Sequence, residues 1–450
     1  MHKIHLPNGA KNIISALEEA GCEAYVVGGC VRDSLLGLEP HDWDICTSAT
    51  PLEVKACFSE EKIIDTGMKH GTVTVFMEDS WYEVTTFRID GDYSDNRHPD
   101  SVKFTSSLRD DLFRRDFTMN AMAYNDRDGL IDLFGGEKAL QDNEISCVGN
   151  PSDRFHEDAL RLMRALRFSS VYGFHLDRAT DIAVYTHASM LNGIAMERIN
   201  AELCKLLCGK DVRRVLLQYN DVITTIIPEL RPCVGFDQNN PFHKYTIYDH
   251  IAHAVANYTG DDISVKVALL LHDIGKPQCY TEDERGGHFH GHGASSHDIA
   301  NVVTKHLRFD NKIRAEVATL VLCHDSVIEP TYNVVRRWLN KIGETNFRKL
   351  LHVRMADIKA HSEGTQTSRI ERCLALHDIL EKVIEQEQCF SMKNLAINGR
   401  DIISLGVPEG RLVGDTLRHI LNMVINGDLS NEFESQMQAA QQYLVMRSNQ

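Results

Sequence analysis

What the sequence withholds narrows its class. No apolar run approaches the roughly 20 residues that span a bilayer, and the N-terminus has neither the basic head nor the long apolar core of a signal peptide. "KNIISALEEAG" reads there instead as an amphipathic helix stopped at Gly21. Positive charge is in deficit: 48 Lys and Arg stand against 64 Asp and Glu, a formal net charge of -16. That argues against a generally basic nucleic-acid coat while leaving room for a local basic surface. The twelve cysteines form no C-x-x-C knuckle, and the closest pair, Cys204 and Cys208, falls within a helical pattern. Scattered thiols fit a reducing compartment. Repeats and low-complexity segments are absent as well. The expectation is a cytoplasmic protein without a membrane partner, and at 450 residues and 43% hydrophobic it is large enough for more than one core.

The pattern changes character along the chain. Up to about residue 145, strand-like runs ("EAYVVGG", "WDICT", "GTVTVFM", "YEVTTFRI", "SVKFT") alternate with turn-formers and short helices such as "SALEEA" and "PLEVKACF". This predicts an α+β region built on a small mixed sheet. From Asp153 onward helical periodicity dominates, in "HEDALRLMRALRFSSVYG", "MERINAELCKLLCG", "YDHIAHAVANY", "VKVALLLHDIG" and "RIERCLALHDILEKVIEQ". Breakers cluster at "GNPSD" and "RPCVGFDQNNPFH". Four regions follow: 1–150, 151–240, 241–360 and 361–450.

"HDWDI" sets Asp42 and Asp44 one residue apart, so in a strand both project from one face while Trp43 and Ile45 take the other. The two carboxylates repel unless a cation lies between them; the bland alternative is a solvated strand or turn. Upstream, "VVGGCVRD" leads a strand into Gly28-Gly29 and then a helix, exposing backbone N–H groups that can cradle phosphates, with Arg32 adding charge. A glycosyltransferase D-x-D explains the pair alone but not the glycine turn. Glu83 in "YEVTTFR" can bring a third carboxylate, or be a surface glutamate. "RRDFTMNAMAY" supplies Arg115, Asp116 and Asn120, suited to triphosphate and ribose hydroxyls, with Asp116 as a helix start the alternative. In "HEDALRLMRALRF", Asp158 and Arg161 fall at i, i+3 on one helix face, and Arg164 and Arg167 continue at threes toward phosphates. An ordinary amphipathic helix has the same spacing.

In order and identity these motifs resemble the class II tRNA nucleotidyltransferase/poly(A) polymerase family, with its polymerase-β-like head, over about residues 20 to 230. The resemblance implies that Asp42 and Asp44 are catalytic Mg²⁺ ligands, supported by Glu83. It puts Gly29, Arg32 and Arg115 on the nucleotide, where Gly28, Asp116 and Asn120 join them as candidates from their own chemistry, and makes Asp158 and Arg161 an amino-acid template for base selection. "MERINAEL", with Glu197 and Arg198, resembles the family's next helical motif. The implied partners are tRNA, CTP and ATP, and the implied reaction builds or repairs the tRNA 3′ CCA end. Rivals within the family add only A, only CC, or poly(A). The segment between "TTFR" and "RRDFT", which contains the charged "IDGDYSDNRHPDSV", favours full CCA addition.

The second half is rich in histidine. "LLLHDIGKP" places His272-Asp273 at the end of an apolar helix, His250 lies upstream, "GHFHGHGASSH" follows, and "VLCHD" and "MADIKAH" add His324 and Asp357. One such histidine is ordinarily a satisfied core residue or a helix cap. Together, imidazoles and carboxylates carried to one centre suit one or two divalent transition metals. The set resembles the HD phosphohydrolase domain over roughly 245 to 360. That implies His250, His272, Asp273 and Asp357 as ligands, His292 and His324 as the further histidines of some members, and Ni²⁺, Mn²⁺ or Co²⁺ as the metal. His288, His290 and His297 crowd the loop of His292 and leave that choice open. The implied activity is a phosphatase or 2′,3′-cyclic phosphodiesterase acting on damaged RNA ends, or an inherited fold with a vestigial site. A rival of another class is an HD phosphohydrolase whose head only binds nucleotide or RNA; the intact D-x-D opposes it. The stretch 333–360 carries seven Lys and Arg against two acids, a surplus that can touch a phosphate backbone or simply be solvated. The helical region after 361 fits RNA gripping or dimerisation.

Overall fold

The computed structural model of the protein describes residues 3–65, 67–90, 102–239, 244–284, 286–362, 364, 366–386 and 388–448. It falls into two compact units, Met1–Pro228 and Glu229–Gln450. Helix α1 (Asn8–Glu19) buries Ala10, Ile13, Ile14 and Leu17, the i, i+3, i+4, i+7 stripe of an amphipathic helix, and Gly21 follows it at φ 83. Then come β1 (Ala24–Val27), α2 (Gly29–Leu35), β2 (Ile45–Thr47), α3 (Pro51–Cys57), β3 (Ile63–Ile64), β4 (Thr72–Met77) and β5 (Ser80–Thr86). Helix α3 starts on a capping box in which Thr50 and Glu53 satisfy each other's backbone N–H. Strands β6 (Arg88–Asp90) and β7 (Val102–Phe104) pair with each other. Residues 91–101 between them, most of the charged "IDGDYSDNRHPDSV" taken to favour full CCA addition, lie outside the described residues. Helix α4 (Leu108–Phe113), β8 (Met122–Asn125), β9 (Gly129–Asp132) and α5 (Gly136–Gln141) complete the α+β region.

The sheet has seven strands in the order β3-β4-β5-β2-β1-β8-β9, with β2 parallel to β5 and the other neighbours antiparallel. It is the small mixed sheet the sequence predicts, with three strands, β3, β8 and β9, that the sequence did not mark. Every residue of β8 is buried, so it shows no period-2 alternation. Its turn is set by Gly129 at φ 74 and by Asn125, whose Oδ1 accepts the Asp128 N–H at 2.6 Å.

Helices α6 (Pro151–Glu157), α7 (Leu160–Tyr172), α8 (Arg178–His187), α9 (Met196–Leu207), α10 (Val212–Gln218) and α11 (Asn220–Ile226) finish the first unit. Helices α7 and α9 pack together, and just past α9 the backbone passes so near α7 that a Cβ on Gly209 would lie 2.2 Å from Ser170 Oγ and 2.6 Å from its carbonyl carbon. The second unit is almost wholly helical: α12 (Ile247–Asn257), α13 (Ile263–Leu271), α14 (His292–His306), α15 (Asn311–Cys323), α16 (Tyr332–Lys359), α17 (Thr367–Glu385), α18 (Gly399–Ser404), α19 (Arg411–Asn426) and α20 (Phe433–Ser448). Helix α13 is buried from Ser264 to Leu271 and packs against α12, α15 and α16. Its one charged residue, Lys266, donates from Nζ to the Val255 carbonyl at 3.0 Å. Of the basic surplus on α16, Arg348 pairs with Glu344, Lys349 pairs with Glu316, and Arg354 donates to the His324 carbonyl, so much of it is engaged within the unit. Among the described residues no helix is long and apolar enough to cross a membrane.

Gly209 tests the α7–α9 packing. Its contact atoms are backbone and a buried serine, so Gly209→Ala must push the helices apart. A loss of about 1–3 kcal/mol is expected, read as a lower urea midpoint with an unchanged slope.

Candidate active site and a buried imidazole–carboxylate cluster

Asp42 and Asp44 stand in the extended approach to β2, not inside the strand as the alternation implied. The ladder nevertheless reaches Asp44, whose carbonyl accepts the Val27 N–H at 3.0 Å and extends the β1–β2 pairing by one residue. Ile45 is fully buried and anchors the segment. The parallel register Ile45↔Val84 sets Asp44, one residue earlier, opposite Glu83. Burial among these neighbours raises the Asp44 carboxyl above its ordinary pKa; Arg115 opposes the rise, while Glu83 and Asp42 add to it. A buried carboxylate with two further acids beside it is stabilised by a divalent cation, so these residues fit a metal. Among the described residues, the trios whose ligand atoms already lie within 4.8 Å of one another are all in the second unit, so the head carboxylates stand further apart.

The cavity in front of Asp42 and Asp44 has a volume of about 980 Å³ and is lined by eight Lys and Arg and five Asp. Gly28, at φ 81 between β1 and α2, and Gly29 form its floor. A Cβ on Gly28 would come within 3.1 Å of Arg115 Nη1, so the missing side chain lets the guanidinium lie over the turn. Arg32 donates to Asn120 Oδ1 at 2.6 Å and to both Asp33 oxygens, and the Tyr172 hydroxyl donates to Asp33 at 2.9 Å. Asp116 accepts from Asn120 Nδ2 at 2.9 Å and from Arg164 Nε at 2.7 Å, so it is a buried hub, not a helix start. Burial would raise its carboxyl, but Arg164, Asn120 and Arg161 together hold it well below the usual range. Arg167 pairs with Glu202 at 3.1 Å.

The helix predicted across "HEDALRL" is broken. Helix α6 ends at Glu157, Asp158 is extended at φ -143, ψ 103, and α7 begins at Leu160. Asp158 caps α7 by accepting the Leu160 N–H at 3.0 Å and binds Arg198 at 2.8 Å. Arg161 donates to Glu157 at 2.6 Å and to the Arg114 carbonyl at 2.9 Å. Asp158 and Arg161 therefore do not share one helix face, nor does either pair with the other; both line the cavity. Sequence reasoning missed Phe168, about which the guanidinium carbons of Arg32, Arg164 and Arg167 lie 5.2, 5.4 and 3.9 Å from the ring centroid. Its spacing, four after Arg164, was the available signal. Cys208, exposed, also borders the cavity.

In the second unit the six predicted ligands meet. His250 Nε2 lies 2.9 Å from Asp357 Oδ1 and 3.4 Å from Asp273 Oδ2, and His272 Nε2 lies 3.3 Å from Asp273 Oδ2. The other Asp273 oxygen lies 3.5 Å from His292 Nε2 and 3.7 Å from His324 Nε2. His272, His292 and His324 each donate Nδ1–H to the carbonyl three residues back, at 2.7, 2.8 and 2.7 Å. That fixes the tautomer and turns Nε2 inward. His292 and His324 consequently face each other, Nε2 to Nε2, at 3.1 Å. Opposed ring nitrogens beside a carboxylate are resolved by a shared cation, so the donor set fits one or two divalent metals. Without metal, burial disfavours a charged His272, yet Asp273 and Asp357 outweigh it and raise its pKa to about 10. Of the histidines in the loop, His292 is the one that enters the cluster. His288 and His290 stack on the wall of the adjoining cavity, and His297 pairs with Asp298. His361 was overlooked: its Nδ1 lies 3.6 Å from Asp357 Oδ1 at i, i+4, a spacing visible in "MADIKAH".

Residues 24–146 match the family described as Poly A polymerase head domain, and 173–233 match RNA and SrmB-binding site of polymerase A. Residues 293–440 match tRNA nucleotidyltransferase domain 2. The CCA-adding enzyme of Limosilactobacillus reuteri (strain DSM 20016) is 35% identical over 94% of this chain and 93% of its own length. The chain belongs to the CCA-adding enzyme family. Its reaction is the metal-dependent, template-independent addition of nucleotides to an RNA 3′ end. Another family member, from Limosilactobacillus fermentum, is 33% identical over 97% of this chain and 96% of its own. The crystal structure of the Bacillus stearothermophilus CCA-adding enzyme in complex with CTP aligns at 30% identity and TM-score 0.75, over 98% of both chains. The Thermotoga maritima enzyme complexed with tRNA, at 20% identity and TM-score 0.61, covers 96% of this chain and 94% of its own and shares the fold.

Asp116→Asn tests the hub. Because its folded pKa is lowered, the carboxylate's contribution is complete above its unfolded value of about 4 and is lost as pH falls through the folded one. Breaking a buried pair costs about 3–5 kcal/mol. Arg164 is 33% exposed, so a loss of about 1–3 kcal/mol at neutral pH is expected. Denaturant titrations between about pH 3 and pH 7 should show a flatter acid limb in the variant.

Proposed function

We infer that the first cavity binds CTP or ATP and that Asp42 and Asp44, supported by Glu83, hold Mg²⁺ while the tRNA 3′ end is extended to CCA. The observation that carries this is the pair Asp42 and Asp44 lining a cavity with a surplus of arginine, with Glu83 opposite Asp44 in the strand register. The 3′-hydroxyl oxygen attacks the α-phosphorus, the new O–P bond forms, and the bond to the β-phosphate oxygen breaks to release pyrophosphate. Bound Mg²⁺ supplies Lewis-acid stabilisation of the phosphate charge. On the chain's side, Arg32, Arg115, Arg164 and Arg167 neutralise the triphosphate, and the Gly28–Gly29 turn lets it approach the backbone. Asp116 and Asn120 hold Arg164 and Arg32 in place. Asp158 and Arg161 read the base edge. Cytosine and adenine each offer an exocyclic amino donor beside a ring-nitrogen acceptor, matching a carboxylate and a guanidinium. Uracil and guanine reverse that order and leave both groups unsatisfied.

The domain assignment follows: 1–150 is the nucleotidyltransferase head and 151–240 the neck with the base-selecting pair. Region 241–360 is the HD domain and 361–450 a helical tail for RNA gripping or dimerisation, with the match to tRNA nucleotidyltransferase domain 2 running across both.

Asp44→Ala or Asp42→Ala should abolish addition to a tRNA lacking its last three nucleotides, with the fold intact by circular dichroism. Asp158→Ala should instead admit UTP and GTP, since a bidentate contact discriminates by about 1–3 kcal/mol. Single-turnover incorporation of each NTP, followed by sequencing of the ends, reads both. Full activity of the first pair of variants would remove the metal assignment, and unchanged C/A preference in the third would leave Asp158 structural.

A second activity is favoured by one observation, the Asp273 carboxylate set between two groups of inward-facing imidazoles. We infer that the cluster is a metal-dependent phosphohydrolase site using Ni²⁺, Mn²⁺ or Co²⁺ and acting on phosphorylated RNA ends. The protein should hydrolyse bis-p-nitrophenyl phosphate or a 2′-phosphate with one of these metals, and His272→Ala should stop this without harming CCA addition. Absence of hydrolysis across the metal panel would make the cluster vestigial.

A further inference from the structure

A cavity of about 610 Å³ opens over the imidazole–carboxylate cluster, and two long cationic side chains reach its wall, Lys276 and Arg369. They are placed differently. The Lys276 side chain is 6% exposed and engaged, with Nζ 2.8 Å from Asp273 Oδ2 and donating to Gln238 Oε1 at 2.9 Å. Arg369, in the first turn of α17, is 39% exposed, and its Nη2 stops 3.9 Å from Asp357 Oδ2. That is an ion-pair separation beyond hydrogen-bonding reach. Among the described residues Arg369 makes no hydrogen bond and no closer ion pair.

Arg369 also borders an adjoining cavity of about 180 Å³, together with Arg354 and Arg372. Those two guanidiniums are occupied. Arg354 donates to the His324 carbonyl at 3.0 Å, and Arg372 donates to both Glu329 oxygens at 2.8 and 2.7 Å. Asp325 lines both cavities and limits how much negative charge either accepts without a cation. The cation with uncommitted donors at the mouth of the cluster is therefore Arg369. A planar guanidinium matches two oxygens of a tetrahedral phosphate. It has little to gain from Asp357, whose carboxylate already faces His250 and His272.

We propose that Arg369 is the substrate-positioning residue of the second site, gripping two non-bridging oxygens of a phosphate ester brought to the cluster. This rests on the phosphohydrolase reading above and adds to it the group that recognises the phosphate. The side chain swings from its long-range pairing with Asp357 onto the incoming anion, while Lys276 remains on Asp273.

Inorganic phosphate is the probe. It is titrated by calorimetry into the full-length protein, both loaded with Mn²⁺ and after chelation, for wild type, Arg369→Ala and Arg369→Lys. Metal content and CCA addition are measured alongside. Arg369→Ala should keep wild-type metal content and CCA addition but bind phosphate about ten- to a hundredfold more weakly, the weight of a charge-assisted bond. Arg369→Lys should recover part of the loss, and KM for bis-p-nitrophenyl phosphate should rise with little change in kcat. The proposal is overturned by phosphate affinity within about twofold of wild type, by wild type that binds no phosphate in either condition, or by loss of metal from the alanine variant. If phosphate binding follows Arg369 while no metal supports hydrolysis, the positioning role stands and the phosphohydrolase reading falls.

Discussion

Like charges carried on two neighbouring inner strands of the sheet are the constraint from which most of the first unit's polar architecture follows. The β2–β5 register brings Asp44 opposite Glu83, and the adjoining Asp42 adds a third acid. Each of these acids raises the Asp44 carboxyl, so the segment is tolerable only with positive charge close by. Arg115 supplies part of it, and it can lie there because Gly28 has no side chain. Arg115 is itself held by Asp111 at 3.2 Å. The pattern repeats outward: Asp116 holds Arg164, Glu202 holds Arg167, and Asp33 holds Arg32. A cavity meant for a highly charged ligand thus keeps its cations in fixed positions before the ligand arrives, which lowers the reorganisation needed on binding.

The second unit solves the same problem with neutral rings. Its carboxylates, Asp273 and Asp357, sit among imidazoles, three of which, His272, His292 and His324, are oriented by backbone carbonyls three residues earlier. One carboxylate faces two groups of ring nitrogens with its two oxygens, so the spacing of the groups is determined by a single side chain. The burial of α13, which delivers His272 and Asp273 at its end, makes that placement rigid.

Much of this was legible because the informative residues are local. The glycine turn, the D-x-D pair and the His-Asp pair each lie within a few residues, and the β1–β2 ladder extends as far as the Asp44 carbonyl. What escaped depended on distant partners. The break at Asp158 has no glycine or proline to announce it. It is held by Arg198 from α9 and by Arg161, which donates to the Arg154 carbonyl at the end of α6. Strand β8 hid because burial on both faces erases alternation, and Phe168 went unmarked because its three guanidinium neighbours come from two helices.

The cysteines give the first cavity a chemical handle. Burial pushes the Cys30, Cys147, Cys204 and Cys233 thiols up to about 12, so they are poor nucleophiles at neutral pH. Cys208 is the exposed thiol of the twelve, and it lines the first cavity, whereas Cys22, Cys57 and Cys279 are partly covered. A thiol reagent that reaches Cys208 would therefore sit in the lining of that cavity.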